Sequence, residues 1–166
     1  RGKVLDIGCA NGSLLRMIPT IEGYLGVDHD ERFLGRARHF FPERKFVALD
    51  IEQGDLAPLK AEAPFDTIVM LALLEHLAQP AKVLSRLQPL LAPGGLVVAT
   101  TPTPLGHRVH ALGARLGLFS REAAEDHEVM LDRKALEAAF GAAGLTVRSY
   151  RTFQLGCNQT IVAGRA

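Results

Sequence analysis

Three acidic residues stand in or directly after short apolar runs near the start of the chain: Asp6, Asp28 and Asp50. Asp6 is followed by Gly8 and Gly12, which mark a turn with few side chains. Carboxylates brought close together are costly unless they receive hydrogen bonds or positive charge. The pattern therefore predicts a site for a ligand rich in hydroxyl and amino groups, which approaches the backbone closely at the glycine turn.

The elements that carry these residues alternate between short apolar runs and helical patterns. The early runs are continuously apolar, which is typical of strands that are covered by helices on both faces. We therefore predict an α/β fold with a doubly wound, mostly parallel sheet. The predicted strands are Val4–Ile7, Tyr24–Val27, Phe46–Leu49, Thr67–Leu71, Leu96–Thr100, Leu145–Phe153 and Thr160–Ala163, and the predicted helices are Ser13–Ile18, Glu31–Phe41, Pro80–Leu91 and Arg133–Ala143.

The carboxyl ends of these strands define the expected site. In open α/β sheets, ligands bind beyond the carboxyl ends of the strands. This rule brings together the glycine turn, Asp28, Asp50, the segment Leu71–His76 and the segment Thr100–Pro104. An acid at a strand end also serves as a turn or helix cap. Asp28 and Asp50 therefore each keep a structural interpretation beside the binding one.

A nicotinamide dinucleotide is one ligand that an acid 20 residues beyond Gly8 would suit. The dinucleotide fingerprint, however, requires glycines at its first, third and sixth positions. Those positions are Gly8, Ala10 and Ser13 here, so the glycine spacing disfavours that ligand.

Five segments resemble, in order and spacing, the motifs of the class I (Rossmann-like) S-adenosylmethionine-dependent methyltransferases. They are "VLDIGCANG", "YLGVDHD", "FVALDIE", "FDTIVMLALLEHL" and "LLAPGGLVVATTP". The usual first motif has glycine where this chain has Ala10. The segment "LLEHL" resembles the small-molecule type to which the quinone-pathway O-methyltransferases belong. The resemblance implies a seven-stranded sheet of order 3-2-1-4-5-7-6 whose last strand is antiparallel.

The resemblance also implies residues that hold S-adenosylmethionine. Asp28 would accept hydrogen bonds from both ribose hydroxyls, His29 would pack beside the adenine, and Asp50 and the Ile51 amide would meet the adenine edge. The glycine turn and Leu71 would pass their backbone along the methionine part, with Asp6 near its ammonium group. Cys9 is expected to be a small buried residue and not a nucleophile. The residues so assigned are Asp6, Gly8, Cys9, Ala10, Gly12, Asp28, His29, Asp50, Ile51 and Leu71.

Methyl transfer from a sulfonium is an in-line displacement, which positioning alone accelerates strongly. A base that takes the acceptor's proton could assist. His76 and His127 are the candidate catalytic residues, the latter because Asp126 and Glu128 flank it and could fix its tautomer. The alternatives are a backbone-bonded helix-start residue for His76 and a solvated loop residue for His127. No cluster has the spacing of metal ligands, so we predict no metal.

Length, charge and composition limit the classes of protein to which the chain can belong. The chain has 166 residues, enough for a single domain, and a net charge of +1, which gives no reason to expect nucleic acid as a partner. Its apolar runs are too short for a membrane helix. The chain has two cysteines and shows no signal-like segment before the first predicted strand, so a reduced cytoplasmic setting is expected.

The predicted organisation is one methyltransferase domain over residues 1–166, with residues 102–128 as an irregular substrate-side insertion. Members of this class carry helices before the first strand, and these are expected to be missing here. The expected activity is methyl transfer from S-adenosylmethionine to a small molecule, with oxygen as the favoured acceptor atom and nitrogen or carbon as the alternatives. A non-catalytic S-adenosylmethionine-binding subunit is the alternative, and the oligomeric state stays open.

Overall fold

Seven strands and six helices are formed in the part of the chain that the computed structural model describes, residues 2–115 and 130–165, of which residues 110–115 are described by their backbone. Two short 3-10 turns, Leu74–His76 and Gln88–Leu90, flank the fourth helix. The elements in chain order are β1 (Lys3–Ile7), α1 (Ser13–Met17), β2 (Gly23–Asp28), α2 (Glu31–Phe40), β3 (Lys45–Ala48), α3 (Ala57–Glu62), β4 (Phe65–Leu71), α4 (Pro80–Leu87), β5 (Leu91–Pro102), α5 (Pro104–Arg115), α6 (Arg133–Ala142), β6 (Leu145–Phe153) and β7 (Asn158–Arg165).

The strands form one sheet in the order β3-β2-β1-β4-β5-β7-β6. β7 pairs antiparallel with both β5 and β6, and the other pairs are parallel. This confirms the predicted fold class and strand order. In the register, Ile7 lies beside Val27 on one side and Met70 on the other, so the carboxyl ends of β1, β2 and β4 share one rim.

Both faces of the sheet are covered, which accounts for the continuous apolar runs. One cluster of buried side chains joins the sheet to α3, α4 and α6 and includes Leu59, Leu84 and Phe140. A second cluster joins the other face to α1 and α2 and includes Leu15 and Leu34. Each Å² of apolar surface that is removed from water stabilises the fold by about 25 cal/mol, and this is the main force that holds these layers together.

The helix predicted to run from Pro80 to Leu91 ends earlier, at Leu87. Pro89 has no N–H to donate, so the chain tightens into the 3-10 turn and the α-helix cannot continue. Strand β5 then begins at Leu91, five residues before the predicted start, and Gly94 lies inside it. The pairing of β4 with β5 shifts register at this point, which absorbs the extra residues.

Residues 102–128 were predicted to be irregular, and the structure shows that this is wrong for their first half, which is helix α5. The hydroxyl of Thr103 accepts a hydrogen bond from the backbone N–H of Gly106 at 3.0 Å, and Pro104 occupies the first helical position. Both are helix-start signals that sequence reasoning had missed. Residues 116–128 lie outside the described residues.

Helix α3 was also missed. The carboxylate of Asp55 accepts a hydrogen bond from the backbone N–H of Ala57 at 3.0 Å, and Pro58 lies in the first turn. The helix is only six residues long, so its apolar periodicity is too short to recognise. Among the described residues, no helix has the length and apolar character needed to cross a membrane.

Candidate functional site

A cavity of about 490 Å³ opens at the carboxyl rim, where β1, β2, β3 and β4 end. Its wall combines the glycine turn after β1, the acid at the end of β2, the acid beyond β3, and the 3-10 turn after β4. The lining residues are Ile7, Gly8, Val27, Asp28, His29, Phe33, Leu49, Asp50, Ile51, Glu52, Ala72, Leu73, His76 and Leu77.

The glycine turn is built by backbone hydrogen bonds to β2. The amides of Gly8 and Cys9 both donate to the carbonyl of Val27, at 2.8 and 3.0 Å. Gly12 opens α1 at a φ of 80°, and a Cβ there would lie 2.9 Å from the ring of Phe41. Only glycine fits at this position without a shift of the ring.

Asp28 is the acid that ties this turn to the second strand. It is 8% exposed, its Oδ2 accepts a hydrogen bond from the Ala10 N–H at 2.9 Å, and its Oδ1 accepts one from the Asp30 N–H at 3.0 Å. A carboxylate offers about four acceptor sites. Each oxygen can therefore accept one further donor, which is the arrangement that two neighbouring hydroxyls require.

Ala10 occupies the position where the resemblance expects glycine, and its backbone has a φ of 45°. This is the left-handed region, which an alanine adopts at a cost of about 1–2 kcal/mol. The turn therefore keeps the shape that a glycine would give, and the hydrogen bond to Asp28 helps to hold it there.

Asp50 closes the turn after β3. Its Oδ1 accepts hydrogen bonds from the backbone N–H groups of Glu52 and Gln53, at 2.8 and 3.2 Å, so the structural interpretation of this acid is correct. The binding interpretation is compatible with it, because Oδ2 lies outside these hydrogen bonds and the side chain also lines the cavity.

Arg86 of α4 holds the same turn from behind. Its Nη1 donates to the carbonyls of Ile51 at 2.8 Å and Glu52 at 2.5 Å, and its Nη2 donates to the carbonyl of Gly54. Three carbonyls bound to one planar guanidinium fix the backbone of the turn. Sequence reasoning had missed Arg86, because it is distant in the chain and sits on a helix with no local signal.

Asp6 lies beneath the glycine turn and does not line the cavity. It is 3% exposed, and its Oδ2 accepts a hydrogen bond from the hydroxyl of Tyr24 at 2.7 Å. Burial raises the pKa of Asp6 from 3.8 to about 6, against the lowering effect of the Tyr24 hydroxyl, and the nearby charge of Asp28 raises it further. Burial likewise raises the pKa of the Cys9 thiol, and Cys9 is 3% exposed, as expected of a small buried residue.

The segment after β4 forms the opposite wall. Ala72 has a φ of 51°, and its N–H donates to the backbone carbonyl and to the hydroxyl of Thr100, at 2.9 and 3.1 Å. Leu71, directly before it, ends the strand with a side chain that is 37% exposed. The backbone N–H of His76 donates to the carbonyl of Leu73 at 3.0 Å, and the exposed His76 lines the cavity.

Glu75 precedes His76 and is 3% exposed. Burial raises the pKa of Glu75 above its ordinary value, and the nearby His76 acts in the opposite direction. Glu75 Oε2 and Thr101 Oγ1 are buried polar atoms that have no hydrogen-bond partner within 3.5 Å among the described residues. Sequence reasoning had named the segment but not this buried acid.

The structure brings together about half of the predicted site residues around the cavity and places the others behind or beside it. His127 lies outside the described residues, so no contact can be assigned to it. Among the described residues, no group of three or more His, Cys, Asp or Glu could hold a metal ion. The predicted residues in the cavity wall are Gly8, Asp28, His29, Asp50, Ile51 and His76, and those outside it are Asp6, Cys9, Ala10, Gly12 and Leu71.

The sheet order is that of the Rossmann-like methyltransferase fold, and the solved structures bear this out. An S-adenosylmethionine-dependent methyltransferase from Mesorhizobium loti aligns with a TM-score of 0.78 over 99% of this chain and 91% of that chain, at 16% identity. A magnesium protoporphyrin IX methyltransferase from Synechocystis PCC 6803, solved with bound SAH, aligns with a TM-score of 0.73 over 99% and 74%, at 20% identity.

Sequence comparison shows the family to which the chain belongs. A family model described as a methyltransferase domain matches residues 1–150, and the chain belongs to this family. A trans-aconitate 2-methyltransferase from Methylobacterium nodulans is 31% identical over 159 residues, which are 90% of this chain and 60% of the relative. A ubiquinone biosynthesis O-methyltransferase from Aeromonas salmonicida is 30% identical over 152 residues, 88% of this chain and 63% of the relative. The chain thus spans less than two thirds of the length of these relatives.

Proposed function

We propose that the chain binds S-adenosylmethionine in the rim cavity and transfers its methyl group to a small-molecule acceptor, at oxygen. The observation that carries the proposal is the double hydrogen bonding of Asp28, which joins the glycine turn to the end of β2 in the wall of the rim cavity. Membership of the methyltransferase family supports the reaction. The names of two relatives, a trans-aconitate 2-methyltransferase and an O-methyltransferase, support a small acceptor and an oxygen.

The nucleoside half of the cofactor fits the side of the cavity formed by β2 and β3. Asp28 would accept the two ribose hydroxyls with its remaining acceptor sites. Asp50 would accept the adenine amino group with Oδ2, and the Ile51 amide would face a ring nitrogen. His29, whose Nδ1 lies 3.6 Å from Asp28 Oδ1, would cover the adenine and the ribose from the solvent side.

The methionine half fits the backbone between the glycine turn and the end of β4. The residues that would contribute main-chain atoms here are Gly8, Cys9, Ala10, Gly12 and Leu71. Because only main-chain atoms are needed, the side chains of Cys9, Ala10 and Leu71 need not line the cavity. Asp6 would act from behind the turn, because a buried carboxylate attracts an ammonium group strongly over a short distance. Its raised pKa makes this attraction dependent on pH.

When bound, the cofactor supplies a methyl group on a sulfonium, which is already activated for displacement. The residues of this chain then need to hold the acceptor in line and, where the acceptor is a hydroxyl group, accept its proton. We assign that second task to His76, which is exposed and lines the cavity. His127 keeps the same role as a sequence-based prediction.

The experiment that tests the proposal is formation of S-adenosylhomocysteine from S-adenosylmethionine with trans-aconitate and with catechol as acceptors. The first offers carboxylate oxygens and the second offers phenol oxygens. Product that appears with one acceptor and not the other supports the proposal and selects the acceptor class. Tight binding of S-adenosylmethionine without product from either acceptor would favour a non-catalytic binding module, and absence of binding would reject the proposed site.

A further inference from the structure

Glu52 joins two separate parts of the fold in the wall of the rim cavity. Its side chain is half-buried, and its Oε1 accepts a hydrogen bond from the backbone N–H of Gln79 at 3.2 Å. Glu52 lies in the turn after β3, and Gln79 directly precedes the first residue of α4. The hydrogen bond therefore connects the turn that carries Asp50 and Ile51 to the chain that leaves the opposite wall at Leu77.

The backbone of Glu52 is held as well. Its N–H donates to Asp50 Oδ1 at 2.8 Å, and its carbonyl accepts a hydrogen bond from Arg86 Nη1 at 2.5 Å. A carboxylate is also favoured beside the N-terminal end of a helix, where backbone N–H groups point outward. The carboxylate of Glu52 therefore has a defined position, because both its own backbone and its acceptor atom are fixed by neighbours.

A second cavity, of about 560 Å³, lies beside the rim cavity. Its wall includes Gln53, Lys82 and Arg86. Among the described residues, Glu52 alone lines both this cavity and the rim cavity. The side chain of Glu52 and its hydrogen bond to Gln79 therefore form the partition between the two spaces.

We propose that Glu52 is a specificity-determining residue, which closes the rim cavity at the amino edge of the adenine and excludes ligands that carry a substituent on that amino group. This inference rests on the proposed function, in which the adenine amino group faces Asp50. Glu52 comes two residues after Asp50 in the same turn, so the partition adjoins that edge of the base. The proposal adds a limit on which adenosine compounds the cavity accepts.

The exclusion is steric. An adenine amino group that carries one alkyl group keeps one N–H, so Asp50 can still accept a hydrogen bond from it. The alkyl group, however, needs room beyond the amino group, where the fixed carboxylate of Glu52 lies. Placing an alkyl group against this carboxylate would also take water away from a charge, which is costly. Without the Glu52 side chain, the second cavity supplies the room.

Three variants separate this role from a general loss of structure. Glu52→Ala removes the partition and leaves the two backbone hydrogen bonds of the residue in place. Glu52→Gln is the conservative variant, because its amide oxygen keeps the size of the side chain and can accept from the Gln79 N–H. Gln53→Ala is the matched control, since this exposed neighbour lines the second cavity only. Thermal unfolding of each variant gives the temperature range in which it is folded.

Isothermal titration with S-adenosylhomocysteine and with N6-propyl-S-adenosylhomocysteine gives the ratio of their Kd values for each protein. Any conformational preference of the propyl group affects all the proteins equally, so a change in the ratio reports the room beside residue 52. Relative to the wild type, Glu52→Ala should lower the weakening caused by the propyl group at least about tenfold. Glu52→Gln and Gln53→Ala should keep the ratio of the wild type.

An unchanged ratio in Glu52→Ala, or the same fall in Glu52→Gln or Gln53→Ala, would overturn the inference. Adenosine and N6-propyladenosine should show the same change, which assigns the effect to the base, and an effect confined to the compounds with the amino acid part would contradict it. A wild type that binds neither S-adenosylhomocysteine nor adenosine would reject the proposed function and this inference with it. A wild type that binds both, with no change of the ratio in Glu52→Ala, would reject the inference alone.

Discussion

Asp28 and Ala10 are joined by a hydrogen bond of 2.9 Å between a carboxylate oxygen at the end of the second strand and a backbone N–H in the turn after the first. The same oxygen atoms are those that the proposed function assigns to the ribose. The side chain of Asp28 therefore couples the position of the glycine turn to the recognition of the nucleoside. This coupling explains why a turn with alanine in place of glycine can keep its shape.

Asp28→Ala is expected to weaken the binding of S-adenosylhomocysteine by about 1–3 kcal/mol, because two ribose hydroxyls lose their acceptor. Isothermal titration measures this directly. Asp30→Ala is the matched control, since Asp30 caps α2 through the N–H of Arg32 at 2.8 Å and its loss lowers stability without removing a ribose contact. Equal affinities of wild type and Asp28→Ala would show that the ribose lies elsewhere.

Ala10→Gly is expected to stabilise the protein by about 0.5–1 kcal/mol. Relief of the left-handed strain at a φ of 45° exceeds the entropy that glycine adds to the unfolded chain. Urea unfolding gives the free energy, and Ala48→Gly serves as the control because Ala48 lies in the extended strand β3, where glycine should destabilise. A loss of stability in Ala10→Gly would mean that the turn tolerates alanine without strain.

Arg86→Met is expected to loosen the turn after β3 and to weaken the binding of both S-adenosylhomocysteine and adenosine. Three backbone carbonyls lose their shared donor, and the Ile51 amide loses its fixed position. Each lost hydrogen bond to a charged group is worth about 1.5–3 kcal/mol in stability, so affinity is compared at a temperature where the variant is folded. Lys82→Met, at an exposed position of the same helix, should leave the affinity for adenosine unchanged.

The variant Asp6→Asn tests how the buried carboxylic acid of Asp6 makes the stability of the protein depend on pH. Since burial raises the pKa of Asp6 from 3.8 to about 6 in the folded state, the protein binds more protons when folded over that range. The contribution of Asp6 to stability is therefore fully present below about pH 4 and is lost as the pH rises through about 6. Relative to Asp6→Asn, the wild type should lose about 2–3 kcal/mol of unfolding free energy between pH 4 and pH 8.

The pH dependence of ligand affinity is a second test of the role of Asp6. An ammonium group near Asp6 favours its ionised form, so the affinity of the wild type for S-adenosylhomocysteine should rise as the pH increases through about 6. Asp6→Asn should show a flatter dependence. If both proteins follow the same pH profile for stability and for binding, Asp6 does not titrate in the site.

Much of the fold could be predicted from local signals. Continuous apolar runs identified the parallel strands, and the Asp132 cap, whose Oδ1 accepts from the Ala135 N–H at 2.7 Å, began α6 where expected. The order of the strands came from the resemblance. The predicted helix ends were less accurate. The apolar pattern continues past the end of α4, but Pro89 has no N–H to donate, so the helix ends before it.

The site could be predicted only where the chemistry lies in one segment. Asp28 ends β2 and Asp50 lies two residues beyond β3, so the rule for carboxyl ends located them. Arg86 acts through carbonyls that are distant in sequence, and no local pattern marks a side chain that binds a remote backbone. The hydrogen bond of Tyr24 to Asp6 likewise depends on the pairing of β1 with β2.

The central claim is that the rim cavity holds the nucleoside of S-adenosylmethionine through Asp28. A crystal structure of the protein with S-adenosylhomocysteine tests it most directly. The account predicts both ribose hydroxyls within hydrogen-bonding distance of the two Asp28 oxygens, with the adenine between His29 and the turn that Asp50 closes. A nucleoside bound elsewhere, or a ribose turned away from Asp28, would contradict it.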